Sequence, residues 1–527
     1  MPDARIFWRL LQRNQRQLHC NQRQLHRNNG VTMKYEVVMG LEVHVELLTE
    51  SKLFCSCSAK FGAEPNENVC PACAGMPGMP AIINKKAIEL AIAAGLITNS
   101  EISPVITFDK KNYFYPDLPA GYQITQMFAP ICKNGWVEIE ASPMDTAGHT
   151  DIANPPDTHT KRITLKQIHI EEDAGKLVHE PRTGTTLVDF NRTSVPLIEI
   201  VSNPDFRSSG EVTAYLEKLR LLLTFAGISD CKMQEGSMRC DINISAREAG
   251  SEVLGTRTEI KNVNSLKAIA RAIEYESQRH IDALETGSEK LIQETRRWND
   301  DAGESYSMRE KEEAADYRYF PNPEIPPVCI GAEWIERIRA ALPEPAHEKY
   351  DRLTKSLGLP AHDSKIISSS QNLSRLFDST LKHVDKPKDV SNWIIGELLA
   401  IARELDINED DIDIDAEKLA KIVKLVGAGK INRTVGKKVL QKVFEENADP
   451  DAYIAKHSLE MVRDTGLLET TIREVLAENG KIVKQYREGS TKVFGFLVGQ
   501  VMKKTAGKAD PRSVNELLEK ILGATAD

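Results

Sequence analysis

The chain has 527 residues, of which 41% are hydrophobic and 28% are charged, and its formal net charge is −9 at pH 7. This length exceeds the size at which one hydrophobic core keeps growing, so we expect about two to four domains. The composition predicts a soluble, cytoplasmic protein with no membrane partner, because no apolar run is long enough to cross a bilayer. The acidic balance excludes a generally basic nucleic-acid-binding protein.

Residues 1–32 form a segment of low complexity. It repeats the sequence Asn-Gln-Arg-Gln-Leu-His at 14–19 and 21–26, and it is rich in arginine with Asp3 as its single acid. Such a composition is typical of an organelle transit peptide, which would place the protein in an organelle matrix. Met33 offers the alternative that the segment is an upstream extension without function. We predict that 1–32 is disordered and takes no part in the fold.

The first predicted strand, 36–47, alternates apolar and polar side chains. Because successive side chains of a strand point to opposite faces, its aliphatic residues face a core and its polar residues face away from it. The polar face carries Glu42, His44 and Glu46. We therefore expect an acidic surface with one imidazole at this point of the sheet.

Four cysteines follow this strand in two close pairs, spaced C-x-C and C-x-x-C and separated by twelve residues. They are Cys55, Cys57, Cys70 and Cys73. This spacing is the one that a tetrahedral Zn²⁺ site requires. The alternatives are two disulfides or four buried thiols, but nine cysteines in 527 residues are too few for a disulfide scaffold. We predict a zinc knuckle at 55–73, which is structural because protein fills all four ligand positions.

Three helices are predicted between the strands of the first half. The first is capped by Asn84 and ends near Gly95, the second opens at Ser209 and stops at Gly227, and the third covers about 265–284. Further strands are predicted at 163–172, 185–190, 197–201, 239–244 and 256–263. This order predicts an α+β domain built on a largely antiparallel sheet.

A proline-rich segment, 317–327, ends this domain in the prediction, because it can be neither a helix nor a central strand and is interpreted as a linker. Beyond it, apolar residues recur at helical spacing, and Pro450 between two aspartates predicts a turn between two helical units. The predicted domains are 33–327, an all-α region at 328–449 and a helical tail at 450–527. The tail carries a local basic patch, Lys481, Lys484, Arg487, Lys492, Lys503, Lys504, Lys508 and Arg512.

Charged residues recur in the predicted strands where apolar ones would be expected. Glu199 interrupts an apolar run, Arg239 and Asp241 share one strand face, and Glu171 and Glu172 end another strand. Each alone is more often a solvated or paired charge, but Glu199 is costly to bury unpaired. Together with lysines and arginines, such carboxylates are what Mg²⁺ and nucleotide phosphates require. The sequence contains no P-loop or dinucleotide glycine motif, so an ATP site would need another architecture.

Lysines and aromatic residues are interleaved at 108–126, where Lys110 and Lys111 precede three aromatic residues. This mixture can stack a base and neutralise a phosphate. The alternative is a surface loop around buried tyrosines.

Several long motifs, in order, resemble one family. They are Gly40–His44, the paired cysteines, Lys110–Pro119, His169–Lys176, Asp189–Arg192, Glu235–Asp241 and Asp316–Pro321. The chain from Tyr35 to its C-terminus is similar to the B subunits of the aspartyl/glutamyl-tRNA(Asn/Gln) amidotransferases. So many motifs in one order are more specific than any single motif.

The resemblance implies a cradle-like catalytic domain that uses ATP and Mg²⁺ to phosphorylate the side-chain carboxylate of glutamate or aspartate misacylated on tRNA. Ammonia then displaces the phosphate. It also implies two partner proteins, a glutaminase (the A subunit) that makes the ammonia and a small C subunit, together with a helical tail that holds the tRNA. The alternative is a zinc-stabilised tRNA-binding scaffold without catalysis, in which the acidic residues are merely solvated.

The resemblance also implies roles for individual residues. The Mg²⁺ ligands would be His44, Glu172 and Glu199. The catalytic residues, or ligands of a second metal ion, would be Glu42, Glu171 and Asp241. Lys111 and Arg239 would contact the phosphates of ATP. Because neighbouring strand residues point in opposite directions, only one of Glu171 and Glu172 can face the site.

Overall fold

The computed structural model describes residues 34–141, 159–180, 182–310, 317–460, 465–487, 493–505, 509 and 511–524. The segment 1–32 therefore lies outside the described residues, as do Lys492 and Lys508 of the basic patch. The chain divides into two compact units between Leu342 and Pro343.

The first unit is built on a large sheet. Its strands are β1 (Tyr35–Glu46), β2 (Glu101–Ile102), β3 (Val105–Ile106), β4 (Asp109–Asn112), β5 (Tyr122–Thr125), β6 (Cys132–Ala141), β7 (His159–Glu172), β8 (Lys176–Glu180), β9 (Thr185–Asp189), β10 (Pro196–Ser202), β11 (Met238–Glu248), β12 (Thr258–Lys261), β13 (Glu294–Asn299), β14 (Glu304–Glu310), β15 (Phe320–Pro321) and β16 (Val328–Cys329). Nine of them form one sheet in the order β14-β13-β12-β11-β1-β10-β7-β6-β2.

Every neighbouring pair of this sheet is antiparallel except β12 and β13, which are parallel. Strand β1, the first in the described chain, lies at the centre between β10 and β11. The predicted class, a mixed α+β fold with a largely antiparallel sheet and a helical C-terminal region, is confirmed.

The described residues of the first unit form four helices: α1 (Lys85–Ile97), α2 (Ser209–Phe225), α3 (Leu266–Thr286) and α4 (Ala332–Ala341). Asn84 caps α1 as predicted, by accepting hydrogen bonds from the backbone N–H groups of Lys86 and Ala87. The cap of α2 is Ser208 rather than Ser209. Helix α1 continues past Gly95, where a Cβ atom would lie 2.4 Å from Sγ of Cys132, so this glycine serves close packing and not chain termination.

The helices cover the apolar face of the sheet. Leu41, Val43 and Val45 of β1 are buried in one core with the inward residues of α1, α2 and α3. Burying this face leaves the alternate side chains of the same strands on the opposite face, where the polar residues lie. The alternation of apolar and polar residues in β1 thus decides which face of the sheet packs against the helices. The opposite, polar face is the one that can form a functional site.

The segment 317–327 is more than a connection. Phe320 and Pro321 add β15 to the edge of β4, and Val328 and Cys329 add β16 to β3. The next helix, α4, also packs on the first core through Trp334, Ile335 and Ile338. The first compact unit therefore extends to Leu342, past the boundary predicted at residue 327.

The described part of the second unit is helical. Its helices are α5 (Ala346–Asp351), α6 (Ala361–Ser369), α7 (Gln371–Leu381), α8 (Pro387–Asn392), α9 (Leu399–Glu404), α10 (Ala416–Gly427), α11 (Arg433–Glu446), α12 (Pro450–Lys456), α13 (Thr465–Glu478), α14 (Gly480–Arg487), α15 (Phe494–Lys504) and α16 (Pro511–Ala524), with π-helical turns at Arg352–Ser356 and Trp393–Leu398. The turn predicted at Pro450 separates α11 from α12, and Asn447 ends α11 in the left-handed conformation. Among the described residues, no helix is both long and apolar enough to cross a membrane.

The residues that the structure describes in the second unit form two hydrophobic cores. One extends from Leu353 to Ile454, so α12 belongs to it, and the other joins α13, α15 and α16. The tail predicted to begin at residue 450 therefore has its own core only from α13 onward.

A buried polar network lies in the first unit behind β12 and β13. His280 of α3 is fully buried, and its Nε2 lies 2.9 Å from Oγ1 of Thr258. Glu276, one turn earlier, is also fully buried and pairs with Arg279 at 2.9 Å and Arg296 at 3.2 Å. Paired in this way, the buried charges are tolerated, and the network ties α3 to the edge of the sheet.

This network predicts an acid-sensitive stability. Burial and the charges of Arg279 and Arg296 lower the pKa of His280 from 6.5 to about 4. Between these values the unfolded chain binds more protons, so the stabilisation is present above pH 6.5 and is lost as the pH falls toward 4. Acidification from pH 7.5 to 5 should remove about 2 kcal/mol from the free energy of unfolding. Urea unfolding measures the free energy of unfolding at both pH values. Its decrease between pH 7.5 and 5 should be smaller for His280→Gln than for the unaltered protein, and an equal decrease would contradict the prediction.

Candidate active site

The strand register brings the polar residues of several strands together. His44 of β1 lies opposite Glu199 of β10 on one side and Arg239 of β11 on the other. Glu199 in turn lies opposite His169 of β7. These residues are far apart in the sequence, and the central position of β1 makes them neighbours on one face.

A first cluster contains two imidazoles and two carboxylates. Nε2 of His44 lies 3.4 Å from Glu199 and 3.7 Å from Glu171. Nε2 of His169 lies 3.1 Å from Glu199 and 3.5 Å from Glu171. One ligand atom each from His44, Glu171 and Glu199 lies within 4.8 Å of the others, which is close enough to share a single cation. We call the four residues His44, His169, Glu171 and Glu199 the first cluster.

The charges of the first cluster depend on one another. Burial opposes protonation of His44, but Glu199 and Glu171 outweigh it and raise the pKa of this imidazole. The same balance raises the pKa of His169 to about 10. Burial works against a charge on Glu199 as well, yet His169 and His44 hold its pKa well below the usual value. Without a bound cation, the imidazoles therefore compensate the carboxylates.

A second cluster lies on the neighbouring strands and is formed by Glu42, Asp241 and Glu259, whose oxygens also lie within 4.8 Å of one another. Glu42 accepts a hydrogen bond from Asn243 at 3.0 Å, and Glu259 accepts one from Thr295 at 2.8 Å. The ammonium of Lys261 contacts Asp241 and lies 3.4 Å from Glu259. This second cluster thus already holds one cation, supplied by the protein.

Two further cations face the same space. Nζ of Lys111 lies 5.5 Å from the ring centre of Tyr113 and 5.1 Å from that of Tyr317. Burial disfavours its charge, but Glu171 outweighs this and raises the pKa of Lys111. Arg239 donates a 2.5 Å hydrogen bond to Asp173, an ion pair that orients its guanidinium.

Apart from His169, the charged side chains of both clusters, together with Lys261, Lys111 and Arg239, line one cavity of about 610 Å³. Four tyrosines form part of its wall: Tyr113, Tyr115, Tyr317 and Tyr319. Two of them belong to the segment that the sequence predicted as a linker. A cavity of this size, with carboxylates, cations and aromatic rings, suits a charged ligand with a ring system.

Glu172 is not part of this cavity. Its carboxylate accepts hydrogen bonds from Ser194 at 2.5 Å and from the backbone of Ile124 at 2.8 Å. It lines a separate cavity of about 320 Å³, and burial raises its pKa to about 7. The structure therefore joins Glu171, and not Glu172, to His44 and Glu199, because neighbouring residues of β7 point to opposite faces of the sheet.

The four cysteines of the predicted knuckle converge. Their sulfur atoms lie within 4.8 Å of one another, and none of the four forms a disulfide. The Sγ atoms of Cys70 and Cys73 are 3.8 Å apart, which matches two ligands of a tetrahedral zinc ion with bonds of about 2.3 Å. A hydrogen bond from Cys55 and the ammonium of the buried Lys52 lower the pKa of Cys73 to about 4. This favours a thiolate.

Sequence reasoning missed Glu259 and Tyr317, which line the cavity, and His169, which lies 3.1 Å from Glu199. For His169 a local signal existed, since it alternates with the apolar Ile168 and Ile170 in its strand. The same alternation sets Glu171 with His169, and Glu172 with Ile170, so it contained the signal that separates the two acids. Tyr317 was assigned to a linker because of the prolines that follow it.

Comparison with known proteins agrees with this description. Residues 37–336 match the family model of the GatB/GatE catalytic domain, and residues 375–522 match that of the GatB domain. The chain is 50% identical over 488 residues to a protein of Lachnoclostridium phytofermentans, an alignment that covers 93% of this chain and 99% of the relative. The corresponding protein of Caldicellulosiruptor bescii is 47% identical over 493 residues, with 93% and 99% covered.

A third relative, from Thermodesulfovibrio yellowstonii, is 46% identical over 491 residues, which cover 93% of this chain and 100% of the relative. Each of the three relatives is named as the B subunit of an aspartyl/glutamyl-tRNA(Asn/Gln) amidotransferase. Both the catalytic and the C-terminal family models match, in the order in which the two compact units occur. The chain therefore belongs to this family of enzyme subunits, the amidotransferase B subunits.

Proposed function

We propose that this chain converts Glu-tRNA(Gln), Asp-tRNA(Asn) or both into Gln-tRNA(Gln) and Asn-tRNA(Asn) by ATP-dependent amidation. The side-chain carboxylate attacks the γ-phosphorus of ATP, ADP leaves, and an acyl phosphate forms. Ammonia then attacks the carbonyl carbon, the carbon–oxygen bond to phosphate breaks, and an amide and phosphate remain. The observation that carries the proposal is the single cavity that combines two carboxylate clusters with Lys111, Arg239 and a wall of tyrosines.

The first cluster fits Mg²⁺. Ligands at right angles around an ion with bonds of about 2.1 Å lie about 3 Å apart, and the carboxylate and imidazole atoms here are separated by 3.4 and 3.7 Å. His44, Glu171 and Glu199 would hold this ion, and Glu42, Asp241 and Glu259 would hold a second one. Bound ions neutralise the charge that develops on the phosphates.

The protein's own cations would act on the same charge. Lys111 faces Glu171 and Glu199, so its ammonium lies where the γ-phosphate would approach the first cluster. Arg239 is fixed by Asp173 and offers its remaining N–H groups to phosphate oxygens. Phosphoryl transfer depends mainly on such positioning and charge neutralisation, and therefore no covalent intermediate with the protein is needed.

The four cysteines would hold a structural Zn²⁺. The site offers four sulfur ligands and leaves no position for substrate, so it supports the fold and not the reaction. It lies in the first unit, next to the cavity that Glu172 lines, since Cys73 and Glu172 both contribute to that cavity.

The proposed partners are a glutaminase (the A subunit), which supplies ammonia, a small C subunit, and the tRNA. Lys481, Lys484, Lys503 and Arg512 of the basic patch are exposed, whereas Lys504 pairs with Glu474 and Glu478. Exposed lysines and arginines of the tail would contact tRNA phosphates. An affinity for tRNA that falls steeply with salt would support this.

One experiment tests the function as a whole. The full chain, alone and with its partner subunits, is incubated with Glu-tRNA, ATP, Mg²⁺ and ammonium, and the formation of Gln-tRNA is measured. We expect Gln-tRNA together with stoichiometric ADP. A chain that binds tRNA but never hydrolyses ATP would instead be a scaffold, and the amidation proposal would be wrong.

Two adjacent glutamates provide a matched test of the first cluster. Glu171→Gln should weaken Mn²⁺ binding, used as a probe for Mg²⁺, by about tenfold or more, because it removes a charged ligand. Glu172→Gln should leave Mn²⁺ affinity unchanged, since Glu172 lines the other cavity. Electron paramagnetic resonance of free Mn²⁺ gives the dissociation constants of both variants. If Glu172→Gln weakened Mn²⁺ binding and Glu171→Gln did not, the assignment of Glu171 to the metal site would be wrong.

Two adjacent lysines provide a similar test of the phosphate contact. Lys111→Met should raise the dissociation constant for ATP by about tenfold or more, because a charge-assisted contact is lost. Lys110 points to the other side of β4, where it pairs with Glu324 at 3.1 Å, so Lys110→Met should bind ATP as the unaltered protein does. Isothermal calorimetry measures both, and equal effects would argue against a role for Lys111.

A further inference from the structure

The second cluster differs from the first because a lysine already occupies it. The ammonium of Lys261 contacts Asp241 and lies 3.4 Å from Glu259, so it touches two of the three carboxylates. In the first cluster, by contrast, the imidazole of His44 is itself one of the ligand groups that converge there. The ammonium of a lysine has no lone pair to offer a metal ion. The two clusters therefore accept a divalent ion under different conditions.

A divalent ion and this ammonium cannot share the second cluster. The three carboxylate oxygens lie within 4.8 Å of one another, so an ion that contacts all of them would lie within a few ångströms of the ammonium. The ammonium already contacts carboxylates of Asp241 and Glu259 that the ion would need as ligands, and two cations so close together repel each other, a divalent ion twice as strongly as a monovalent one. The lysine side chain must therefore move away before the ion can bind.

The displaced ammonium would find a new binding partner within the same cavity. Asn262, Val263 and Asn264 line the cavity directly after Lys261 and lead into Ser265, the cap of α3. The N-terminus of this 21-residue helix favours negative charge, so an anion near it would attract the flexible lysine side chain as well. In the proposed function, this anion is the triphosphate of ATP.

We propose that Lys261 is a positioning residue that keeps the second cluster closed to divalent ions until ATP is present, and then transfers its ammonium from Asp241 and Glu259 to the phosphates. The inference rests on the proposed function, because it requires a nucleotide in this cavity. It explains why three carboxylates are built around a lysine. The second ion would enter only together with the substrate whose phosphates it neutralises.

Titration of the full chain with Mn²⁺, with and without a non-hydrolysable ATP analogue, tests the proposal. The unaltered protein should bind one Mn²⁺ tightly without nucleotide and a second one when the analogue is added. Lys261→Met should bind the second Mn²⁺ without nucleotide, with an affinity raised by about tenfold or more. Lys261→Arg, which keeps the charge, and Lys267→Met, which removes an exposed lysine from the first turn of α3, should behave like the unaltered protein.

Two results would overturn the proposal: Lys261→Met that titrates like the unaltered protein, or two Mn²⁺ ions bound to the unaltered protein without nucleotide. Failure of the proposed function has a different signature, since the analogue would then not bind to the unaltered protein at all. Circular dichroism of each variant identifies one that does not fold, and in that case Lys261→Gln gives the same comparison.

Discussion

Glu199→Gln should lower ATP-dependent amidation by about two to three orders of magnitude. Glu199 is the carboxylate that both imidazoles of the first cluster approach, at 3.4 Å for His44 and 3.1 Å for His169. The amide is nearly isosteric but carries no charge, so it should weaken the proposed Mg²⁺ site without opening a cavity. Reconstituted complexes supplied with Glu-tRNA, ATP and ammonium provide the measurement.

The control is Glu138→Gln, which removes an exposed carboxylate from β6 of the same sheet and should leave the rate unchanged. Binding of tRNA should be retained in both variants, because the basic patch lies in the other unit. A Glu199→Gln complex that amidates at the normal rate would show that the first cluster is not the reaction centre. The same rate loss in the control would point to a general effect on the sheet.

Loss of the proposed zinc ion should have the largest effect on stability. The purified protein should contain one Zn²⁺ per chain, and Cys73→Ser should lose it and lower the melting temperature of the first unit by about 10 °C. The reason is that no residue between Cys57 and Cys70 is buried, so apart from the cysteines this loop is held mainly by polar contacts, such as the hydrogen bonds of Asn66 with Asp189 and Val188. Metal analysis and differential scanning calorimetry measure the two quantities.

Cys329→Ser is the matched control, since Cys329 is exposed and lies outside the sulfur cluster. It should keep both the zinc content and the melting temperature. If the unaltered protein contains no zinc and Cys73→Ser melts like Cys329→Ser, the four cysteines are simply neighbouring thiols. Activity is a weaker readout here, because the site offers no ligand position to a substrate.

The alternation of single strands was readable from the sequence. It separated the core and polar faces of β1, the cap of α1 stood in the predicted place, and α3 begins and ends within two residues of its predicted range. Alternation also held the information that Glu171 shares a face with His169, but the sequence pattern Glu171-Glu172 offers two acids at the end of the strand. The pairing of β7 with β10 sets Glu199 opposite His169, so it identifies the face of β7 that carries His169 and Glu171 as the face of the site.

The assembly of the site could not be read in this way. Glu259 joins Glu42 and Asp241 because β12 pairs with β11, and no local pattern specifies which strands become neighbours. Tyr317 and Tyr319 reach the cavity because the segment that follows them pairs with β4 at Phe320. Proline content correctly excluded a helix there, but it does not distinguish a free linker from an edge strand.

The central position of β1 has a consequence for biosynthesis. Tyr35 at its start pairs with Glu248 at the end of β11, so more than 200 residues must leave the ribosome before both edges of β1 are covered. At about 5–20 residues per second this takes on the order of ten seconds or more, during which an apolar strand with unpaired backbone groups is exposed. The nascent chain is therefore expected to depend on chaperones until β10 and β11 emerge.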